Sequence, residues 1–552
     1  FTQAELPKDM SPYLEFAAAA RKFPSSPFFC LTNQAASSYG VEPREWTYAE
    51  AFDHVADLQV AYRNRSYGLG HRIGLLLENR PEFFFHFLAL NGLGVSVLPI
   101  DAALPVGDIA YQIEHSDACA LVCLPEVTAR SAQAVELSGS KAPVVATDRF
   151  PKLPAAPTPS RTEAASNATE AALLYTSGTT GQPKGCMISN EYFIGLGQWY
   201  QDEGGYCALE PGQERLITPL PVNHMNSLAC STMAMIMTGG CIVQLDRFHP
   251  STWWQSVRDS RSTIVHYLGV MPAMLLNLPA SLNENFAEQI KFGFGAGVDV
   301  RHHMAFEQRF GFPLIEAWAM TETGAGACIA ASHEPRQVRT RCFGKAPSTL
   351  EYRLVDENGN ETPADQPGEL LVRATGERPE RNFFSGYYKD KTATAYAWSG
   401  GWFHTGDVVR TDAEGSFYFV DRRKNVIRRS GENIAALEVE AALLQQAAVH
   451  NCAVAPVADA IRGEEVMACI MLAPETDATR ATAEAIVGFT LGALVYFKAP
   501  GYVAFVEQLP MTTSQKIQRG EVKRLCAELL EKGECFDLRS KKRRRKPETP
   551  SA

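Results

Sequence analysis

Short apolar runs that alternate with helical patterns constrain the fold of the N-terminal part of this chain more than any other feature. Uncharged runs of this length predict strands that are buried on both faces, and helices between them predict parallel sheets covered on both sides. The candidate strands are residues 72–77, 95–100, 120–123 and 144–146, and the candidate helices are residues 49–63 and 105–115.

Beyond residue 350 the pattern changes to short alternating strands, and the charged segment 421–425 (DRRKN) then interrupts them. We place a domain boundary at this interruption, because a second α/β pattern follows it. The final basic run indicates a disordered end. The predicted parts are a large domain over residues 1–421, a small C-terminal domain over 422–538 and a disordered tail over 539–552.

Charge and cysteine usage exclude several classes of function. With 62 acidic and 52 basic residues, the net charge of -10 argues against a nucleic-acid partner, and we interpret the basic run 541–546 as solvated. The thirteen cysteines show neither a CxxC pair nor a neighbouring His, so we predict reduced thiols in a cytoplasmic protein. Uncharged stretches at 83–100 and 225–245 contain Gly and polar residues, which favours a buried helix and strand over a membrane span.

The strongest local signal is the loop in residues 173–185 (LLYTSGTTGQPKG), which follows a predicted strand at 171–175. Glycines bring backbone N–H groups close to an anion, hydroxyls add donors and a lysine adds positive charge. The loop does not match the Walker A pattern, and its alternative interpretation is an ordinary Gly/Thr-rich turn. The predicted phosphate-binding residues are Thr176, Ser177, Gly178, Thr179, Thr180, Gly181 and Lys184.

At this loop the chain resembles the adenylate-forming superfamily of acyl-CoA synthetases, peptide-synthetase adenylation domains and luciferases. The resemblance covers nearly the whole chain, because motifs from residues 46–48 (WTY) and 79–82 (NRPE) to Lys516 follow the family's order. The chain is most similar to a free-standing carboxylate–CoA ligase. The resemblance implies an α/β fold whose large N-terminal domain has parallel-rich sheets packed with helices and a β-barrel-like part. It also implies a small mobile C-terminal α/β domain.

Two motifs carry the adenine site that this resemblance implies. Residues 294–297 (FGAG) resemble the segment that passes over the adenine, where small residues permit close approach. Residues 316–323 (EAWAMTET) are similar to the family's YGMTET element, with Trp318 and Ala319 in place of the usual Tyr and Gly. The implied adenine contacts are Gly295, Ala296, Gly297 and the stacked ring of Trp318.

The same element implies the phosphate and metal contacts. By the match, Thr321 bonds the α-phosphate and Glu322 holds Mg²⁺, which prefers carboxylate and phosphate oxygens. Residues 219–224 (PLPVNH) resemble the motif whose last residue borders the acyl pocket, although a lone histidine such as His224 is more often structural. In residues 401–407 (GWFHTGD), Asp407 would accept hydrogen bonds from both ribose hydroxyls, and Arg422 would contact the nucleotide.

The C-terminal domain carries the remaining implied site residues. Lys424 lies where the family has its hinge residue, and Gly431 lies in a loop (SGENI) that resembles the one lining the pantetheine tunnel. Lys516 resembles the lysine that reaches the carboxylate and α-phosphate oxygens, although Gln515 replaces the glycine that usually precedes it.

The resemblance implies an ATP-dependent acid–thiol ligase that forms an acyl-adenylate and then a thioester. Its cofactors are ATP, Mg²⁺ and CoA as co-substrate, and its partner is a small carboxylic acid, with no nucleic acid and no membrane span. Whether the chain forms a homodimer stays open. Two alternative functions also stay open: an adenylation enzyme that loads a carrier-protein thiol in trans, and a nucleotide-binding relative without catalytic activity.

We predict that Lys516→Ala abolishes adenylate formation but largely spares thioester formation from a supplied acyl-adenylate. The reason is that only the first half-reaction builds negative charge beside this ammonium. Measuring pyrophosphate release and thioester formation separately tests this role. An equal loss in both half-reactions would contradict it.

Overall fold

The computed structural model describes residues 9–176, 182–281, 284–429, 432–511 and 517–542. These residues divide into two compact units, which we call unit 1 and unit 2. Unit 1 consists of Phe1–Tyr352, Val372–His404 and Glu414–Tyr418, and unit 2 consists of Arg353–Leu371, Thr405–Ala413 and Phe419–Ala552. The domain boundary at residues 421/422 stays a prediction.

Helices and strands alternate along unit 1, as the hydrophobic pattern predicts. The helices of the described ranges are α1 (Pro12–Lys22), α2 (Asn33–Tyr39), α3 (Tyr48–Arg63), α4 (Pro81–Asn91), α5 (Val106–Ser116), α6 (Thr128–Leu137), α7 (Asn190–Asp202), α8 (Thr232–Thr238), α9 (Trp253–Asp259), α10 (Val270–Leu276), α11 (His303–Phe310), α12 (Lys391–Ala397), α13 (Ala436–Leu443), α14 (Arg480–Ala493) and α15 (Arg519–Lys532). The strands are β1 (Pro27–Leu31), β2 (Arg44–Thr47), β3 (Arg72–Leu76), β4 (Ser96–Pro99), β5 (Ala120–Cys123), β6 (Val144–Ala146), β7 (Glu170–Thr176), β8 (Lys184–Ser189), β9 (Arg215–Thr218), β10 (Cys241–Gln244), β11 (Ile264–Leu268), β12 (Phe292–Ala296), β13 (Leu314–Trp318), β14 (Ile329–Ala330), β15 (Cys342–Lys345), β16 (Leu350–Val355), β17 (Gly368–Ala374), β18 (Phe403–Thr411), β19 (Ser416–Arg422), β20 (Val426–Arg429), β21 (Glu432–Ala435), β22 (Val449–Asp459), β23 (Gly463–Leu472), β24 (Tyr502–Phe505) and β25 (Phe536–Asp537).

The larger sheet of unit 1 has eight strands in the order β14-β13-β12-β11-β9-β10-β1-β2. The pairs from β13 through to β1 are parallel, and the edge strands β14 and β2 pair antiparallel. Its inner strands β9 and β10 are buried along their whole length, as expected for strands covered on both faces. The carboxyl ends of β9, β11, β12 and β13 therefore lie at one edge of the sheet.

The second sheet of unit 1 has six strands in the order β6-β5-β3-β4-β7-β8. Strands β3 to β7 pair in parallel, whereas β8 returns antiparallel to β7 at the edge. The predicted strands at 72–77, 95–100, 120–123 and 144–146 are confirmed as β3, β4, β5 and β6, and the α/β class is confirmed with them.

The two uncharged stretches fold as the sequence predicts. Helix α4 ends at Asn91 and is followed by Gly92 and the buried strand β4, while α8 ends at Thr238 and is followed by Gly239 and the buried strand β10. Within the described ranges, no helix combines the length and the apolar character that crossing a membrane requires.

A five-stranded sheet in the order β15-β19-β18-β17-β16 follows, and each of β16 to β19 contributes residues to both units. The third large sheet, in unit 2, has the order β21-β20-β23-β24-β25, with β22 paired to β23. A buried apolar core from β20, β22, β23, α13 and α14 includes Ile427, Val439, Val466 and Ile486. This core gives unit 2 the small α/β character that the sequence predicts.

The predicted disordered tail begins too early. Residues Arg539–Lys541 form a short 3₁₀ turn, and Arg539 makes ion pairs with Asp459 (2.7 Å) and Asp537 (2.6 Å). The side chain of Lys542 is fully buried and pairs with Glu465. Arg539 and Lys542 are therefore held by the buried carboxylates of Asp459 and Glu465, which lie 80 and 77 residues away in the chain. Residues 543–552 lie outside the described ranges.

We predict that Lys542 makes the stability of the chain change with pH in the alkaline range. Burial lowers the pKa of Lys542 from 10.5 to about 8, although Glu465 acts in the opposite sense. Between these values the unfolded chain binds the proton more strongly, so the contribution of Lys542 to the free energy of unfolding rises with pH. Lys542→Met should flatten this rise by about 1–3 kcal/mol, measured by urea unfolding between about pH 7.5 and 10.5.

The matched control for this experiment is Lys541→Met, because Lys541 pairs with Glu484 on the surface and its side chain is 48% exposed. The control should keep the pH slope of the parent chain. Equal slopes in Lys542→Met and the parent would contradict the buried location of Lys542.

Candidate active site

The predicted phosphate loop connects β7 to β8 at the antiparallel edge of the six-stranded sheet. Thr176 ends β7 and lies opposite Lys184, which begins β8. The Thr176 hydroxyl lies 3.8 Å from the Cys186 sulfur, in a part-buried position. The remaining predicted phosphate ligands, Ser177 to Gly181, lie outside the described residues. The strand register thus brings the two ends of the loop, with a hydroxyl and an ammonium, side by side.

Lys184 lies in a partly negative and aromatic environment. Its Nζ is 3.9 Å from Asp390 Oδ2 and 4.9 Å from the centre of the Tyr387 ring, and 28% of its side chain is exposed. The distance to Asp390 exceeds that of a normal hydrogen bond, so the carboxylate attracts the ammonium without holding it closely. This geometry leaves Lys184 able to turn toward an anionic ligand.

The predicted adenine segment is held in place by Glu316. Strands β12 and β13 pair in parallel with Gly295 opposite Glu316. The Glu316 carboxylate accepts hydrogen bonds from the backbone N–H groups of Gly297 (2.9 Å) and Val298 (3.2 Å) and from the Tyr267 hydroxyl (2.8 Å). Burial raises the pKa of Glu316, although these donors favour its charged form. Glu316 therefore fixes the turn that leaves β12.

Close backbone approaches require glycine at Gly295 in this segment and at Gly269, which follows β11. A Cβ atom at Gly295 would lie 2.3 Å from the carbonyl oxygen of Tyr267, and one at Gly269 would lie 1.8 Å from the carbonyl oxygen of Gly297. Gly297 itself has a φ of +81°, which L-residues with side chains rarely adopt. Ala296 is exposed at the end of β12.

Trp318 and the residues after it leave β13 beside this segment. Trp318 is only 6% exposed, and its ring centre lies 6.1 Å from that of Phe343. The carbonyl oxygen of Thr321 accepts a hydrogen bond from the Tyr192 hydroxyl (2.9 Å). Tyr192 lies in the first turn of α7, which is capped by the Ser189 side chain. Two independent elements thus hold the turn that carries Thr321 and Glu322.

Glu322 has the properties of a ligand for a hard cation. It is 8% exposed, and its Oε1 accepts a hydrogen bond from the Tyr387 hydroxyl at 2.8 Å. In the part of the chain that the structure describes, no group of three His, Cys, Asp or Glu side chains could hold a metal ion. A single carboxylate fits Mg²⁺ when substrate phosphates supply further oxygens. Sequence reasoning missed Tyr387, because it lies 65 residues from Glu322 and no local spacing connects them.

His224 lies after the carboxyl end of β9, at the same sheet edge as the adenine segment, and it is exposed. A π-helical turn, Asn226–Ser231, follows it and contacts the buried His266 through Ser231 Oγ (2.8 Å). Burial lowers the pKa of His266 to about 3, so this imidazole is neutral at physiological pH. Of the two histidines, His224 is exposed and His266 is fully buried.

Asp407 and Arg422 form an ion pair within unit 2, with 2.8 Å between Asp407 Oδ1 and Arg422 Nε. Asp407 is 1% exposed, and its backbone N–H donates to the Thr405 hydroxyl, whereas the Arg422 side chain is 47% exposed. Lys516 and Gly431 lie outside the described residues. The structure thus pairs two predicted nucleotide contacts directly with each other.

Two family models match the chain, and together they cover most of it. The model described as AMP-binding enzyme matches residues 16–388, and the model of the AMP-binding enzyme C-terminal domain matches residues 438–516. The chain belongs to the AMP-binding enzyme family. The predicted membership of the adenylate-forming superfamily, and of its acid–thiol ligases, is confirmed at this level.

Two similar curated proteins carry the names of CoA ligases. A sulfoacetate–CoA ligase of Cupriavidus necator is 31% identical over 83% of this chain and 88% of its own length. A crotonobetaine/carnitine–CoA ligase of Citrobacter koseri is 29% identical over 88% of this chain and 94% of its own length.

Solved structures of similar fold support the same architecture. An anthranilate CoA ligase in complex with anthranoyl-AMP has a TM-score of 0.80 at 20% identity, covering 96% of this chain and 99% of its own. The o-succinylbenzoate CoA synthetase of Bacillus subtilis with its acyl-adenylate intermediate has a TM-score of 0.78 at 24% identity, covering 94% and 99%. At these identities the likeness establishes the fold.

We predict that Glu316→Gln destabilises the predicted adenine segment. The amide would turn an NH₂ group toward one of the donors that the carboxylate now accepts, which leaves a buried donor unpaired. The expected cost is about 1–3 kcal/mol of unfolding free energy, together with weaker ATP binding by calorimetry.

The control is Glu351→Gln, because Glu351 forms a surface ion pair with Arg373 and is 41% exposed. The control should change stability by no more than about 1 kcal/mol. A Glu316→Gln chain as stable as this control would show that the carboxylate does not brace the turn.

Proposed function

We propose that this chain is an ATP-dependent carboxylate–CoA ligase that works through an acyl-adenylate. The main support is the placement of Gly295–Gly297, Trp318 and Glu322 at the carboxyl ends of two adjacent parallel strands. Ligands of α/β sheets bind at such edges. The order of the family motifs and the CoA ligase names of its relatives support the same activity.

In the first half-reaction, a carboxylate oxygen of the acid attacks the α-phosphorus of ATP. The bond from this phosphorus to the bridging oxygen breaks, and pyrophosphate leaves with the electron pair. We propose that Trp318 and the glycine segment position the adenine, and that Asp407 and Arg422 position the ribose. Thr321 and Lys516 would donate to the α-phosphate, where charge accumulates.

The phosphate chain requires its own set of positive groups. The loop from Thr176 to Gly181 and the Lys184 ammonium would bind the β- and γ-phosphates. Mg²⁺, held by Glu322 and by phosphate oxygens, would supply further neutralisation of charge. Glu322 is suited to this role because its carboxylate is buried and already oriented by a hydrogen bond.

In the second half-reaction, the CoA thiol attacks the acyl carbon, the bond to the phosphate oxygen breaks and AMP leaves, while the thiol proton passes to solvent. We propose that the loop at Gly431 lines the path of the pantetheine arm. Lys424 would act as a hinge about which the C-terminal domain rotates between two discrete conformations, one for each half-reaction.

We propose a small acid as the substrate. Ala319 follows the adenine-binding Trp318 and is half-buried, and its methyl group narrows the pocket that glycine would leave open. One methylene is worth about 10–200-fold in kcat/KM in such a pocket. The relatives named for sulfoacetate and for crotonobetaine or carnitine also act on small acids. His224 would border this pocket.

The cytoplasm is the proposed location. All thirteen cysteines are free thiols in the structure, and eleven of them are buried. Free thiols are the rule in reducing compartments.

We predict that pyrophosphate release requires both a small carboxylic acid and CoA for turnover. The measurement is a panel of acids from C2 to C16, each with and without CoA, with Glu322→Gln as the inactive control. We expect small acids to give the highest kcat/KM.

Each other outcome of this panel identifies a different activity. A single burst of pyrophosphate that CoA does not extend would indicate loading of a carrier-protein thiol. If no acid gives pyrophosphate release, the proposal is contradicted. The chain would then be a nucleotide-binding relative without catalytic activity. A preference for long straight chains would contradict the proposed substrate size.

A further inference from the structure

Residues 384–390, which we call the bridging segment, lie against the strand that follows the phosphate loop. Ser385 N–H donates to the Met187 carbonyl (2.8 Å), Met187 N–H donates to Gly386 (3.0 Å) and Tyr388 N–H donates to Gly185 (2.8 Å). These bonds pair the segment with β8 in a short antiparallel arrangement, in which Tyr387 lies opposite Cys186. The bridging segment is therefore fixed to the strand that begins with Lys184.

The same segment also contacts Glu322, which lies in the turn after β13. The Phe384 N–H donates to the Glu322 carbonyl (2.9 Å), and the Tyr387 hydroxyl donates to Glu322 Oε1 (2.8 Å). The Tyr387 backbone is fixed in turn, because its N–H donates to the Thr394 hydroxyl (2.9 Å). One tyrosine thus connects the strand after the phosphate loop to the carboxylate assigned to the metal.

The hydroxyl of Tyr387 contacts the Glu322 carboxylate, and its ring contacts the Lys184 ammonium. The hydroxyl donates to Oε1 of the Glu322 carboxylate. The ring face lies 4.9 Å from the Lys184 ammonium, within the range of a cation–π contact.

We propose that Tyr387 is a positioning residue that orients Glu322 toward Mg²⁺ and Lys184 toward the phosphates of ATP. The proposal rests on the proposed function, because it takes the metal role of Glu322 from there. It assigns a role to a residue that none of the sequence motifs identified. A tyrosine that only packs would support the fold without affecting how ATP binding depends on Mg²⁺.

The test is Tyr387→Phe, which keeps the ring beside Lys184 and removes only the hydroxyl. Its matched control is Tyr388→Phe, because the neighbouring Tyr388 hydroxyl donates to the exposed Asp117 instead (2.6 Å). The readouts are calorimetric ATP binding with Mg²⁺ and with EDTA, and the Mg²⁺ dependence of acid-dependent ATP–pyrophosphate exchange.

Mg²⁺ should raise the ATP affinity of Tyr387→Phe about tenfold less than it raises that of the parent chain. The reason is that the variant loses a hydrogen bond to a charged group. The Mg²⁺ concentration for half-maximal exchange should rise by a similar factor. ATP binding in EDTA and thioester formation from a supplied acyl-adenylate should stay at the parental level. Tyr388→Phe should match the parent in every readout.

A double-mutant cycle covers the case in which Tyr387→Phe lowers stability. Glu322→Gln alone should abolish the Mg²⁺ gain, and adding Tyr387→Phe should then change nothing further. A Tyr387→Phe chain with the parental Mg²⁺ gain, or an equal shift in Tyr388→Phe, overturns the role of Tyr387. A parent chain that binds ATP equally with Mg²⁺ and EDTA instead overturns the metal role of Glu322 and the function built on it.

Discussion

The parallel pairing of β12 with β13 is the constraint on which the proposed nucleotide site depends. This register puts Gly295 opposite Glu316, so the strands end side by side and their following turns meet. Glu316 then closes the first turn through two backbone N–H groups, while β13 continues into Trp318 and Glu322. A small residue beside a buried carboxylate is what allows both turns to lie at one sheet edge.

Buried charge recurs in both units with different consequences. In unit 1, Glu316 and Glu322 are buried carboxylates that accept hydrogen bonds, which prepares them to hold a turn or a cation. In unit 2, Glu465 pairs with Arg429 (2.7 Å) and with Lys542. Breaking a buried pair leaves an uncompensated charge, so such groups restrict which side chains can replace them.

Sequence reasoning identified the residues whose partners are local and missed those whose partners are distant. The strand pattern, the loop ending at Lys184 and the turn with Glu322 each have a signature within a short segment. Tyr387 has none, because its partner Glu322 lies 65 residues away in the chain and only the tertiary fold brings the two together. The basic run from Lys541 suggested a solvated tail for the same reason, since its buried partner Glu465 is 77 residues from Lys542.

The most direct test of the central claim is the fate of a labelled carboxylate oxygen. The parent chain would be incubated with ATP, Mg²⁺, CoA and a small acid that carries ¹⁸O in its carboxylate. If the acid attacks the α-phosphorus, one ¹⁸O atom is transferred to AMP for each thioester formed, and mass spectrometry of AMP detects it. Label in inorganic phosphate with ADP as the product, or unlabelled AMP, would contradict an acyl-adenylate mechanism.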